Sequence, residues 1–242
     1  MKRLTISLGL SVAMISTLTI GGTSQVNSVK FTNLKKKERN TLSIALEFTK
    51  KARHAVQRAL APLAGIEPNG YASGFVVGDR LVMTSYHVVS GKLSTPKKKL
   101  LGFKPDDELE VKAYVGGCEA KVVKKDEEAD LALLKVCIGS KLLDQPIFYT
   151  TPSKDEQVML IAQTGSNKMI RRGVFFGPYT FRGQEYIAIR IDGQDGCSGG
   201  PIYNDKGEIV GVFSGYDWSK ELAIVSPGAK VQKFLADYIA GL

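Results

Sequence analysis

One seven-residue run, Asp195-Gly196-Cys197-Ser198-Gly199-Gly200-Pro201, constrains this chain more than any other stretch. Its glycines lift the Cβ restriction on the backbone, so N–H groups can converge on one point beside the Ser198 hydroxyl. A hydroxyl next to convergent donors is what acyl transfer requires: a nucleophile and a seat for a developing oxyanion. The plain alternative is a glycine-rich turn between two strands, and the run alone does not decide between them.

Two upstream segments supply the missing parts. Leu81-Val82-Met83-Thr84-Ser85-Tyr86-His87-Val88-Val89 reads as a buried strand turning into a short helical turn, and it carries His87. Ala129-Asp130-Leu131-Ala132-Leu133-Leu134-Lys135-Val136 places an acid at the mouth of a strongly apolar strand. The chain order is therefore His87, Asp130, Ser198, and chain order separates the unrelated folds that carry such sets. The alternative for Asp130 is a surface acid at a hairpin end. The second histidine, His54, sits at an expected helix–strand junction and reads as a surface residue.

Gly74-Phe75-Val76-Val77, Thr84 to Val89, Asp130 to Lys135 and Gly196 to Pro201 together resemble the trypsin-like serine proteases of chymotrypsin fold, most closely the bacterial HtrA/Deg type. The resemblance covers about residues 55 to 240. Gly207 to Val212 and Ala223 to Pro227 look like that family's last strands, and Lys230 to Leu242 like its closing helix. The implied fold is all-β: a chymotrypsin-like double six-stranded antiparallel β-barrel with a C-terminal helix. Barrel 1 is expected over about 55–138, barrel 2 over about 142–228 and the helix over about 229–240.

The resemblance also implies an activity, the hydrolysis of extended or unfolded polypeptide through an acyl-enzyme. Ser198 is then the nucleophile, His87 the base and Asp130 its orienting acid. The N–H groups of Gly196 and Ser198 form the oxyanion hole, and no metal or organic cofactor takes part. Ser214-Gly215-Tyr216 match the family's strand that pairs with the substrate backbone. Asp192 stands where trypsin-like digestive enzymes hold an aspartate that attracts Lys or Arg. The HtrA type lacks that charge and prefers small apolar side chains, and Asp192 could instead pair with Arg190. Cys197 departs from both patterns, which have aspartate or asparagine there, so activation by insertion of a new N-terminus is not expected. The register Gly-x-Ser-Gly-Gly makes Ser198, not Cys197, the nucleophile. HtrA-type enzymes usually carry a PDZ domain after the protease. Here the expected last strands and helix use the residues after Gly200, so none is expected.

Composition bounds the rest. A chain of 242 residues with 43% hydrophobic residues can build a sizeable core. Lys2 and Arg3 precede an apolar stretch from Leu4 to Ile20 and the small, polar Gly21-Gly22-Thr23-Ser24, so residues 1–24 read as an export signal, with an uncleaved anchor as the competing reading. Residues 25–54 read as a basic linker and a short helix. The linker covers 25–40, and the helix runs from Thr41 to about Arg53 on the spacing of Leu42, Ala45, Leu46, Thr49 and Ala52. A first strand is expected at about Ala55 to Leu60.

The formal charge of +9 admits nucleic acid or an anionic surface as partner. The basic runs Lys35–Lys37, Lys97–Lys99, Lys124–Lys125 and Arg171–Arg172 are scattered and lack interleaved aromatics, so solvated loops are the expectation and nucleic-acid binding is not. A polypeptide substrate is the expected partner, and the chain is expected to act as an exported monomer. The rival readings are a catalytically silent binding protein on the protease fold, a basic surface-binding module, and an esterase with the same chemistry. No metal-binding constellation is visible. Of three cysteines, Cys118 and Cys137 flank an expected hairpin with arms Cys118–Lys124 and Leu131–Cys137. If Val123 faces Ala132, the two cysteines lie opposite at a spacing a cross-strand disulfide can use, in the oxidising compartment that export implies. Two buried thiols are the alternative.

Overall fold

A computed structural model describes residues 31–51, 68–137, 146–150 and 152–241. Twelve strands form two closed antiparallel barrels of six strands each. Barrel 1 contains β1 (Thr41–Lys50), β2 (Gly70–Gly78), β3 (Leu81–Thr84), β4 (Leu109–Val115), β5 (Cys118–Asp126) and β6 (Leu131–Lys135), and β1 pairing with β4 closes it. Barrel 2 contains β7 (Gln157–Thr164), β8 (Asn167–Phe181), β9 (Gln184–Arg190), β10 (Pro201–Asn204), β11 (Ile209–Asp217) and β12 (Leu222–Pro227), closed by β7 with β10. Among the described residues, the helices α1 (Leu34–Asn40), α2 (Tyr86–Val89), α3 (Thr95–Leu100) and α4 (Gly228–Ile239) lie outside the sheets. The double barrel and C-terminal helix agree with the expected fold class.

The helix expected from Thr41 to Arg53 is instead strand β1, Thr41–Lys50. Ile44, Leu46 and Phe48 alternate into the core of barrel 1, and this period of two decides the conformation once neighbours on both edges satisfy the backbone. Barrel 1 therefore begins near residue 41 rather than 55. Part of the supposed linker is also structured. Phe31 is buried in the central apolar cluster, Thr32 N–H donates to Asp205 C=O at 2.9 Å, and α1 follows. The Lys37 ammonium lies 5.3 Å from the Tyr203 ring centroid, so a residue of the basic run is buried against barrel 2. The expected signal segment, the strand at Ala55 to Leu60 and His54 lie outside the described residues.

Three apolar clusters hold the molecule together. One fills barrel 1 around Ile44, Val82 and Leu134, and another fills barrel 2 around Leu160, Ile189 and Val225. The third, including Phe75, Met83, Leu133, Met159, Ile161 and Val212, joins the two barrels and takes Val231, Phe234 and Leu235 from α4. Each such side chain, fully buried, contributes about 1.5–3 kcal/mol, so the barrels are fixed against each other by the same force that fills them.

The β5–β6 hairpin corrects the expected register. Lys125 faces Ala132 and Lys121 faces Lys135, with Val123 taken up in a bulge. The Asp126 side chain accepts the Ala129 N–H at 2.9 Å, which tightens the turn ahead of Asp130. Cys137 lies past the end of β6, and its sulfur meets that of Cys118, with Cα atoms 6.2 Å apart.

Candidate active site

The site forms where the barrels meet. Thr84, the last residue of β3, pairs with Ala132 of β6, so the chain leaving β3 and the turn entering β6 lie side by side. The first carries His87 on α2 and the second carries Asp130. The His87 backbone N–H donates to Asp130 Oδ1 at 2.9 Å, and His87 Nδ1 lies 2.9 Å from Oδ2 and 3.1 Å from Oδ1. Asp130 adopts a left-handed conformation with φ 51°, which Asp tolerates better than most residues. From barrel 2, Ser226 Oγ donates to the neighbouring Ala129 carbonyl and lies 3.0 Å from Ser214 Oγ, so a hydroxyl pair braces the turn that carries Asp130.

Ser198 arrives on the loop between β9 and β10, and its Oγ lies 2.8 Å from His87 Nε2. A carboxylate only accepts hydrogen bonds, so the Asp130 contact places the neutral ring's proton on Nδ1 and leaves the Nε2 lone pair facing the Ser198 hydroxyl. The structure thus brings together the three residues singled out in the sequence, from segments 43 and 111 positions apart along the chain.

The loop conformation depends on two glycines. Gly196 has φ 92°, and a Cβ there would stand 2.0 Å from Thr164 Cγ2. Gly199 has φ 80°, and a Cβ there would stand 2.2 Å from the Ser73 carbonyl oxygen. Cys197 N–H donates to Gln194 C=O at 3.1 Å, Gly199 N–H to Phe213 C=O at 2.8 Å and Gly200 N–H to Cys197 C=O at 2.8 Å. Among the described residues, the N–H groups of Gly196 and Ser198 have no acceptor. Cys197 packs into the barrel 2 core at 1% exposure, and burial pushes its thiol up, against thiolate formation.

Among the described residues, cavities open beside His87 and Ser198. One, of about 780 Å³, runs from His87 along Ser214, Gly215 and Tyr216, with Tyr179, Tyr186 and Trp218 among its walls. The β11–β12 ladder shifts between Phe213 and Gly215, and β10 pairs with β11 only as far as Val212. One backbone edge of Ser214–Tyr216 therefore faces the cavity. Tyr179 Oη donates to Asp217 at 2.7 Å, and the Ser219 and Tyr179 hydroxyls hold the Asp217 carboxyl down at about 2. The other cavity, of about 180 Å³, includes Ser198, Gly196 and the apolar Phe48, Val88 and Leu93.

Asp192 is placed differently. It is exposed and lines neither cavity that reaches His87 or Ser198. It lies in a separate depression with Arg172, Arg190, Tyr216 and Glu221. A Cβ on Gly193 would stand 2.8 Å from both the Phe213 and Tyr216 rings, so aromatic carbon packs tightly on the loop beside Asp192. Sequence offset from Ser198 could not reveal this, because Phe213 and Tyr216 lie on another strand.

The model for the trypsin-like peptidase domain matches residues 72–212. The chain belongs to that family. It is 28% identical over 185 residues to serine protease HTRA1 of Xenopus tropicalis, covering 70% of this chain and 36% of that protein. It is 25% identical over 195 residues to glutamyl endopeptidase of Staphylococcus epidermidis, covering 76% of this chain and 67% of that one. The chain thus spans about a third of the length of the HTRA1 relatives it matches. The active form of the Rv3671c protease from M. tuberculosis has the same fold, with TM-score 0.58 and 22% identity over 96% of this chain and 93% of that one. Among the described residues no cluster of potential metal ligands occurs, and no helix is long and apolar enough to cross a membrane.

Proposed function

We propose that this chain is a serine endopeptidase that cleaves extended or unfolded polypeptide through an acyl-enzyme. The observation that carries this reading is the continuous contact from Asp130 through His87 to Ser198, at 2.9 and 2.8 Å. Ser198 Oγ attacks the scissile carbonyl while Nε2 of His87 takes its proton, and the imidazolium then gives that proton to the leaving amine. Asp130 keeps the ring oriented and stabilises its charged form. The Gly196 and Ser198 N–H groups receive the oxyanion. Water then enters and is deprotonated by His87, and the same steps release the acid. The exposed edge of Ser214–Tyr216 pairs with the substrate backbone, which only an extended segment can present. The purified chain is expected to degrade an unfolded protein while leaving its disulfide-locked native form intact. Equal attack on both forms would contradict the substrate class, and attack on neither would contradict the activity.

The side chain before the cleaved bond is small and apolar in this reading. The rings of Phe213 and Tyr216 occupy the space against Gly193, and Asp192 lines a separate depression that reaches neither His87 nor Ser198. In a peptide library, Ala or Val at that position is expected to give kcat/KM at least about tenfold above Lys or Arg, a difference of about 1.4 kcal/mol. A preference for Lys or Arg that disappears in Asp192→Asn would overturn this assignment.

Cys118 and Cys137 form a structural disulfide in an exported protein, in line with the apolar N-terminal stretch and the basic residues before it. The bridge closes a loop of 19 positions at the edge of barrel 1. Reduction is expected to cost about 3 kcal/mol, measured by urea unfolding with and without reductant. One thiol per chain should react in the denatured, unreduced protein, and three would exclude the bridge.

A further inference from the structure

The geometry points to Ser73 as a positioning residue that holds the oxyanion-binding peptides of the nucleophile loop in place, an inference that rests on the peptidase reading above. Ser73 lies on β2 of barrel 1, is fully buried, and makes contacts that cross to barrel 2 on both its backbone and its side chain. Its N–H donates to the Ser198 carbonyl at 2.9 Å. Its Oγ lies 2.7 Å from the Gly196 carbonyl and accepts the Gln163 N–H at 2.9 Å. A hydroxyl has one proton, and the Gly196 oxygen at 2.7 Å takes it ahead of the Gln163 oxygen at 3.3 Å. The Ser73 carbonyl in turn accepts Thr84 Oγ1–H at 2.8 Å, which fixes the residue from its own barrel.

These contacts bracket the nucleophile. The two N–H groups assigned to the oxyanion belong to the peptides 195–196 and 197–198, and the peptide between them is 196–197. That middle peptide is held on both faces, its carbonyl by Ser73 Oγ and its N–H by the Gln194 carbonyl. Rotation of the 196–197 plane would turn both flanking N–H groups away from their shared point. Gly196, with φ 92° and no Cβ, has little intrinsic resistance to such a rotation, so the restraint must come from outside the loop. Ser73 provides it through a buried, fully partnered hydroxyl, where removing one partner leaves both Gly196 C=O and Gln163 N–H unsatisfied. The loop geometry is therefore set by the docking of the barrels.

Peptide hydrolysis by Ser73→Ala and Ser73→Cys tests this, with Ser43→Ala as control. Ser43 Oγ accepts the Gly165 N–H at 2.7 Å, also between the barrels, but does not touch the loop. Ser73→Ala is expected to lower kcat about tenfold to a hundredfold, with KM within about twofold, and to weaken binding of a substrate-like peptide aldehyde by the same factor as kcat. Ser73→Cys, which retains a weak donor, should fall between Ser73→Ala and wild type. Ser43→Ala should lower the unfolding midpoint while leaving kcat within about twofold. Loss of kcat in both Ser73 variants only in proportion to loss of folded protein, or aldehyde affinity unchanged while kcat falls, overturns the assignment. Wild-type activity matched by Ser73→Ala overturns it alone. A folded wild-type chain that hydrolyses no peptide overturns the peptidase reading and this one with it.

Discussion

Ser198→Ala is expected to lower kcat on a good peptide substrate by on the order of a million-fold while leaving the unfolding midpoint nearly unchanged. The hydroxyl oxygen is the only heavy atom removed. Ser198 sits in a loop whose shape is set by Gly196, Gly199 and their backbone partners, so the fold does not depend on it. His87→Ala should cost about as much, and the double variant no more than either single one, because nucleophile and base act as a unit. Asp130→Asn should cost about 10⁴-fold, since an amide that donates to Nδ1 would place the ring proton on Nε2, facing Ser198 Oγ. A Ser198→Ala protein retaining one-hundredth of wild-type activity would rule out a serine nucleophile. Parallel steady-state kinetics and thermal unfolding check the whole set.

Gly196→Ala is expected to have the next largest effect, at least about a hundredfold in kcat, together with a loss of stability. Two causes act at once. A Cβ would collide with Thr164 Cγ2 at 2.0 Å, and φ 92° is a conformation that alanine adopts only at a cost of about 1–3 kcal/mol. The variants Thr164→Ser and Gly196→Ala/Thr164→Ser separate the two. Removing the Thr164 methyl should restore part of the lost stability, because the collision partner is gone. It should restore little of kcat, because the backbone still leaves φ 92° and the N–H of residue 196 moves with it. Full recovery of kcat in the double variant would mean that the collision alone displaced the loop. Gly199→Ala offers no such relief, because there the obstruction includes the Ser73 backbone carbonyl at 2.2 Å.

The fold class was legible in the sequence, while the first strand and one hairpin register were not. His87 on a short helix after β3, Asp130 in the turn before β6 and Ser198 in a glycine-rich loop each carry a strong local signature, and their chain order restricts the topology. In the structure His87 lies within hydrogen-bond distance of both Asp130 and Ser198. The strand β1 was missed because Leu42, Ala45, Leu46 and Thr49 satisfy a helical spacing, while the alternation of Ile44, Leu46 and Phe48 fits a strand equally well over so short a run. Only the edges offered by β2 and β4 decide between the two. The register of the β5–β6 hairpin was misjudged for a related reason. A bulge at Val123 leaves no local mark, since it arises from how the turn at Asp126 and the partner strand fit together.

Ser73 and Ser226 were invisible for a different reason. Each is a single hydroxyl in an apolar strand, with nothing nearby in sequence to suggest a partner. Their importance comes from contacts 123 and 97 positions away along the chain. Asp192 shows the converse: its offset from Ser198 suggested a specificity residue, yet the rings of Phe213 and Tyr216, contributed by β11, occupy the adjacent space. Side-chain function at the barrel junction is set by long-range packing that no local pattern encodes.

A Ser198 hydroxyl activated by His87 should react covalently with a phosphonylating reagent. Folded protein is treated with a fluorophosphonate, and the adduct is located by mass spectrometry in wild type, Ser198→Ala, His87→Ala and Cys197→Ala. One adduct per chain on Ser198 is expected, retained in Cys197→Ala, absent in Ser198→Ala and strongly slowed in His87→Ala. An adduct on another residue, or none on folded wild type, would exclude Ser198 as a nucleophile activated by His87.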